Sequence, residues 1–571
     1  MLHLTVEVPI RDGLILRGLH WAPEGPESAF APVVLVLTPY GADRYHADGT
    51  AFAAAGFHLV SLDVRGRGDS DGRFSPFVHD GADGHDAVQW LAEQPWCSGD
   101  VVMYGGSYSG FTQWATAATL PPALRAIAPV ASVYPGVDFP MAHNISKAHA
   151  ARWLALTEGR RMNSGPFEDV ALWRRAGSEV ISRGLPFRDL DVMAVGRRLP
   201  FFQEWLDHPT LDDYWAAFVP RRQQYADIDI PVLTITGQYD DDQLGALTYH
   251  DQHLAAARPG TADRHQVVIG PWDHGGTRSG ARSFGGLTFA ASSAIDLRAL
   301  HVEWYRWILG KADRPAFLRD RVAYFHVGEN RWRSSPQVPG AVSDMAGPVE
   351  RGSVLRLHPL ADVITPGSHQ RLLASKPPTA EQQITMVLDP RRASDPERDE
   401  PPAERTFTDE LPLSDSNDGS TVHVSEPLTG PLDISGRFGA HLTLSTELPD
   451  FDVLVGVHLL PRDASPRLLG EAGLRARYRS SLRRPEPWPS GKPVRVDLGG
   501  FPFVSFRAEP GDRFALLIRP PHRRWQPNYQ GGGMPADETV SDAVPGVVHI
   551  VQDPARPSYV TLPIVELSEE V

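Results

Sequence analysis

Cysteine is nearly absent: one residue, Cys97, in 571. A single thiol excludes any disulfide within the chain, so nothing here demands an oxidising compartment. Set in the turn Pro95-Trp96-Cys97-Ser98-Gly99, it reads as a buried structural thiol. Long apolar runs are missing too. None approaches the roughly 18 residues that a membrane span needs, and residues 1–9 alternate like a strand where a secretory leader would show a basic and then an apolar segment. The expected compartment is the cytoplasm. The 22 histidines are scattered, and none shares zinc-ligand spacing with a cysteine, so neither a metal nor a cofactor is expected. Basic charge is in deficit, with 55 Lys and Arg against 70 Asp and Glu and a net charge of −15. That balance argues against nucleic acid and anionic membrane as partners. Internal repeats and low-complexity tracts are also lacking.

What is present suffices for several cores: 42% of the residues are apolar and 22% charged, over a length that suggests roughly three to four domains. The turn Arg11-Asp12-Gly13 marks a hairpin within residues 1–25. Pro32-Val33-Val34-Leu35-Val36-Leu37 is a continuous apolar run, which predicts a strand buried on both faces. A helix is expected over 49–56, a second buried strand over 57–63, a helix over 83–94 and a further strand over 126–131. Strands alternating with helices argue for a parallel sheet. The glycine-rich loop 64–72 lacks the lysine of a phosphate cradle and reads as structural.

Between about residues 140 and 226 strand-like runs vanish and aromatic-rich helical stretches replace them. The sheet resumes at 230–237 and 265–270, and an amphipathic helix over 294–309 closes it. Beyond about residue 350 the runs at 442–448, 453–460, 494–498, 514–518 and 559–567 are strands divided by Pro and Gly turns, with a charged, Pro-rich loop at 389–405. The expected organisation is an α/β core over 1–140 and 227–350, a helical cap inserted over 141–226, and a β jelly roll over 351–571.

The chemistry centres on Tyr104-Gly105-Gly106-Ser107-Tyr108-Ser109-Gly110. A β-favouring run precedes it and an Ala-rich, helix-compatible run follows. Strand, tight turn and helix is the context in which a G-x-S-x-G-like segment lifts a serine clear of the sheet and aims helix N-terminal amides at a developing oxyanion. The fit departs at the end, where Ser109 stands at +2 and the glycine falls at +3. A nucleophilic serine needs a base, and the base an orienting acid, in the order Ser, Asp, His at successive strand ends. Two later strand ends supply them: Gly237-Gln238-Tyr239-Asp240-Asp241-Asp242 and Gly270-Pro271-Trp272-Asp273-His274-Gly275. The expected triad is therefore Ser107, Asp240 and His274, with Asp241 the fallback acid. The Tyr108 N–H is one expected oxyanion donor. Tyr40, just past the 33–37 strand, is a candidate for the other, although a tyrosine in a Pro-Tyr turn is equally ordinary.

Several segments together resemble the cocaine esterase (CocE/NonD) and X-prolyl dipeptidyl aminopeptidase hydrolases, a group that includes α-amino acid ester hydrolases and glutaryl-cephalosporin acylases. They are Thr38-Pro39-Tyr40, Asp63-Val64-Arg65-Gly66-Arg67-Gly68, Gln94-Pro95-Trp96-Cys97-Ser98-Gly99, the Ser107 turn with Thr112-Gln113-Trp114, Gly270-Pro271-Trp272-Asp273-His274 and Ala476-Arg477-Tyr478-Arg479. The resemblance implies an α/β-hydrolase core with an inserted helical cap and a C-terminal jelly roll. It also implies that the Tyr40 hydroxyl completes the oxyanion hole and that the active site lies where the three domains meet. Gln238 and Asp242 stand where cocaine-esterase-like members carry aromatic residues, which weakens an aryl-ester assignment. Amino-ester hydrolases instead gather acids beside the triad, and Asp242, Asp138 and Gln238 are the expected substrate contacts. Asp242 as a plain cap of the following helix is the competing reading. The expected partner is a small ester or amide, and a homodimer is compatible with it. The alternatives are an acyltransferase or an aminoacyl ester or X-prolyl peptide hydrolase using the same acyl-enzyme, and a non-catalytic hydrolase fold.

Overall fold

The computed structural model describes residues 2–25, 30–340, 353–365, 370–392, 419–521 and 524–565. Ten strands form one sheet: β1 (Leu2–Pro9), β2 (Ile15–Trp21), β3 (Ala31–Thr38), β4 (His58–Asp63), β5 (Cys97–Gly106), β6 (Leu124–Val130), β7 (Val232–Tyr239), β8 (His265–Asp273), β9 (Val322–His326) and β10 (Arg331–Ser335). Their spatial order is β1-β2-β4-β3-β5-β6-β7-β8-β9-β10. From β4 through β9 every neighbouring pair is parallel, and antiparallel pairs finish both ends.

The apolar runs explain why the sheet is central. Val33, Leu35 and Leu37 of β3 pack into one cluster with Val88, Leu91 and Trp114, while Val34 and Val36 pack into another with Phe52, Trp304 and Tyr305. A strand whose successive residues are all apolar must be covered on both faces. Helices α1 (His46–Ala54), α2 (Asp80–Ala92) and α3 (Tyr108–Ala117) arise from the N-terminal crossovers, and the helices at Gln243–Ala256 and Leu297–Ile308 arise after β7 and β8. Cys97 is a buried free thiol.

Between β6 and β7 the chain forms a helix at Ala148–Thr157 and six further helices from Ser164 to Asp227. Their apolar faces join Phe77, Tyr108 and Phe111 in one aromatic-rich cluster with Phe139, Trp153, Trp205 and Trp215. The helices therefore sit on the carboxyl end of the sheet, directly over the turn after β5. The scarcity of strand alternation in 140–226 reflects this: the segment buries helix stripes against a loop-built surface, and its one sheet is the two-residue pair Met141–Ala142 with Ile145–Ser146.

Thirteen strands from Ser353 to Ile564 make the all-β part. Its core joins Leu442, Val455, Phe514 and Ile550 to Tyr239 and Phe325 of the first sheet, so the two parts share apolar packing at the ends of β7 and β9. The strand expected over 559–567 runs Tyr559–Ile564. From residue 393 to 405, the loop expected over 389–405 lies outside the described residues. Among the described residues no helix is long and apolar enough to cross a membrane.

Candidate active site

The turn after β5 is strained where the sequence singles it out. Ser107 has φ 61° and ψ −124° and stands at the N-cap of α3. Such a conformation is uncommon for a residue with a Cβ and is held only where the surroundings over-determine it. The Ser107 N–H donates to the Val130 carbonyl at 2.9 Å, which pins the turn to β6. Glycine is required on its strand side. Gly105 has φ 135°, and a Cβ there would lie 2.6 Å from the Ser109 Cβ. No side chain caps the helix, so the first amides of α3, including Tyr108 N–H, point outward at the turn, as first-turn amides do. The Tyr108 ring faces the other way. Its hydroxyl donates to Asp80 Oδ2 at 2.8 Å and accepts from Phe77 N–H at 2.7 Å. Burial pushes the Asp80 carboxyl up to about 7, against the hydrogen bond from Tyr108.

The loops after β7 and β8 bring Asp240 and His274 together. His274 Nδ1 is 2.8 Å from Asp240 Oδ1. The Asp240 side chain is fully buried, and burial opposes its charge. The His274 ring, the Asp242 amide at 3.0 Å and the Thr236 hydroxyl at 2.8 Å outweigh burial and hold the carboxyl below its usual range. With that partner on Nδ1, the tautomer is Nδ1–H and the lone pair is on Nε2. Asp241, the fallback acid, is exposed.

Tyr40, half-buried after β3, shares hydrogen bonds with two groups. Its hydroxyl accepts from the Trp153 indole N–H at 3.1 Å and is bonded to the Ser107 side chain. Burial raises the phenol above its ordinary pKa despite both bonds, so it remains an O–H donor. The loop before it is anchored by Arg67, a fully buried guanidinium that donates to the carbonyls of Pro39 at 2.8 Å, Thr157 at 2.5 Å and Gly159. Burial, opposed by the charge of Asp63, drops Arg67 to about 10.

The three expected substrate contacts part company. Asp138 is buried, and its two oxygens accept from the amides of Tyr134 and Gly245, each at 2.8 Å. It staples the loop after β6 to the helix after β7. Gln238 donates to the Phe325 carbonyl at 2.5 Å and accepts from Ser505 N–H at 2.8 Å, so its amide is engaged inside the fold. Both were expected at the substrate on sequence grounds; both are engaged with backbone groups of other segments, and the charge of Asp242 acts on Asp138. Asp242 differs. It occupies the N-cap of the Gln243–Ala256 helix yet makes no side-chain cap bond, and its Oδ2 lies 3.6 Å from His274 Nδ1. Burial raises its carboxyl, with Asp240 adding to the effect and His274, Lys147 and Arg278 opposing it.

Two residues that sequence reasoning passed over also reach the site. Gln243 clamps the acid loop, donating to Gly237 O and Phe503 O at 2.9 Å each and accepting from Phe503 N–H at 2.6 Å. Arg278 Nη2 lies 3.2 Å from His274 Nε2, and its Nη1 donates to His274 O at 2.9 Å. The i, i+4 spacing of His274 and Arg278 was the one available signal. Among the described residues no cluster of His, Cys, Asp and Glu could hold a metal.

Comparison with known proteins adds independent findings. The profile of the X-Pro dipeptidyl-peptidase (S15 family) matches residues 12–276, and that of the X-Pro dipeptidyl-peptidase C-terminal non-catalytic domain matches 324–561. A cocaine esterase of Rhodococcus sp. (strain MB1 Bresler) is 27% identical over 604 aligned residues, spanning 98% of each chain. Among solved structures, an aminopeptidase from a marine-sediment Thaumarchaeota archaeon has a TM-score of 0.82 at 21% identity, covering 98% of this chain and 96% of the other. An α-amino acid ester hydrolase has a TM-score of 0.82 at 23% identity, covering 99% and 96%. The last two show a shared fold.

Proposed function

Since the chain belongs to the X-Pro dipeptidyl-peptidase family of α/β-hydrolases and is a hydrolase, we propose that it cleaves a carboxylic ester or amide through an acyl-enzyme on Ser107. The observation that carries this reading is the 2.8 Å contact of His274 Nδ1 with buried Asp240, formed beside a serine held at φ 61°. Arg278 bridges the two halves: its Nε is 2.9 Å from where a Gly106 Cβ would be, and its Nη2 is 3.2 Å from His274 Nε2. The imidazole is therefore within one guanidinium's span of the residue before Ser107.

The steps follow from the atoms. Ser107 Oγ attacks the carbonyl carbon while His274 Nε2 takes its proton. Asp240 holds the tautomer and stabilises the imidazolium. The oxyanion is met by the Tyr40 hydroxyl, which is hydrogen-bonded to the Ser107 side chain, and by Tyr108 N–H at the helix N-terminus. The intermediate collapses with loss of the leaving group, which carries away the proton from Nε2. Water then attacks the acyl-enzyme by the same route and frees the acid. A fluorophosphonate should label Ser107 in the folded protein, and Ser107→Ala should lose label and lower ester hydrolysis at least about a thousandfold. Persistence of either in the variant would overturn the reading.

Asp242 is the proposed contact for a cationic or polar substrate group, because its carboxylate is not spent on capping. With α-amino esters and their des-amino analogues as substrates, Asp242→Asn should shrink the preference for the amine by about tenfold, and an unchanged preference would rule the contact out.

A further inference from the structure

Arg278 is an exposed guanidinium at the mouth of the site, and among the described residues it has no carboxylate partner. It is held by the two His274 contacts at 2.9 and 3.2 Å. Its placement depends on the residue before Ser107 being glycine, since any Cβ at Gly106 would meet its Nε at 2.9 Å. Its charge acts on the Tyr40 phenol and on Asp242, in each case against the larger effect of burial. An arginine here is costly for a base. Nε2 can accept from Nη2 only while the imidazole is neutral. Once the Ser107 proton arrives, both atoms are donors and both groups are cations, so the contact must break. An anion that takes up the guanidinium removes that opposition.

Resting on the serine-hydrolase reading, we propose that Arg278 binds an anionic group, a carboxylate, on the leaving-group side of the substrate. The side follows from the atom contacted. Nε2 is the nitrogen that returns the proton to the leaving heteroatom, so a guanidinium lying against Nε2 meets whatever is attached to that heteroatom. The planar fork suits a carboxylate bidentately. Asp242, at the opposite edge of the ring, has the opposite charge, so the imidazole is flanked by an acid on its Nδ1 side and a base on its Nε2 side. The substrate class this fits is an acylated amino acid or hydroxy acid, leaving through its amine or hydroxyl with its carboxylate free.

The test uses the whole chain and two substrates with one acyl group, meta-acetoxybenzoate and meta-acetoxybenzamide. The ratio of their kcat/KM values, acid over amide, should fall about tenfold or more from wild type to Arg278→Gln, chiefly through KM, while Arg278→Lys retains part of it. A ratio within about twofold of wild type would overturn the proposal. Should neither acetate turn over, the same two leaving groups on a methylphosphonate carry the comparison through Ser107 inactivation rates, with the same two outcomes. The Ser107→Ala variant separates the failures: if it still hydrolyses the amide, the serine reading is wrong, whereas an inactive Ser107→Ala with an unchanged ratio condemns Arg278 alone.

Discussion

Where the helical segment meets the candidate site, it does so from above and through side chains: the Trp153 indole donates to the Tyr40 hydroxyl, and Trp153 lies in the aromatic cluster with Phe77 and Tyr108. Where the β-sandwich meets it, the contact is nearly backbone in character. Gln238 and Gln243 flank Asp240 in sequence, and each reaches the strand Phe503–Ala508, Gln238 at Ser505 and Gln243 at Phe503. Between them Val327 N–H donates to Ser505 O at 3.0 Å and Arg507 N–H to Val327 O at 2.8 Å. The proposed acid is thus built into a clamp between two sheets, whereas the proposed oxyanion donor hangs from one indole and a buried arginine. Aromatic packing is tolerant of small shifts, and a doubly bonded amide is not. The difference suits the two tasks: orienting an imidazole demands fixed geometry, while a cover over the substrate can adjust.

The largest effect that probes this comparison is on the helical side. Tyr40→Phe keeps the ring and its packing but removes the hydroxyl that is hydrogen-bonded to Ser107. If that hydroxyl meets the oxyanion, kcat should fall about a hundred- to a thousandfold with KM nearly unchanged, as for loss of one oxyanion donor elsewhere. Steady-state kinetics of the folded variant check it, and a loss smaller than about tenfold would leave the hole without its phenol.

Much of this arrangement was legible beforehand because it rests on local pattern. Val33 to Leu37 must be a doubly covered strand, and a strained serine turn needs the small residues of Gly105-Gly106 before it. Asp240 and His274 stand at successive strand ends, a position that chain order alone discloses. What stayed hidden depends on which distant backbone passes nearby. The sequence places Asp138 in a loop near the site, but not the Tyr134 and Gly245 amides that its carboxylate accepts from. Nothing local to Gln243 signals that Phe503, 260 positions on, is its partner. Strands β9 and β10 went unnoticed for a related reason, being five residues each and stabilised by the sheet edge they extend.

A paired substitution sharpens the contrast between clamp and cover. Gln243→Ala deletes three hydrogen bonds at once, leaving the Phe503 carbonyl and amide without this partner while the Gly237 carbonyl keeps the Asp240 N–H. Because each unmet buried polar group costs about 1–3 kcal/mol, the variant should lose about 2–4 kcal/mol of stability by denaturant titration. It should also lose about tenfold in kcat, because Asp240 lies on the freed loop and misplacement by a fraction of a bond length is felt at the imidazole. Trp153→Phe removes a single N–H and keeps most of the ring contacts, so the stability loss should stay within about 0.5–1.5 kcal/mol. Its kcat should fall less than about fivefold, since the Tyr40 hydroxyl loses a donor but keeps the proton it gives to the oxyanion. If the tryptophan change proved the more damaging to kcat, the cover would be the element that sets the geometry. The clamp on Asp240 would then be a fastening between domains with no part in aligning the base.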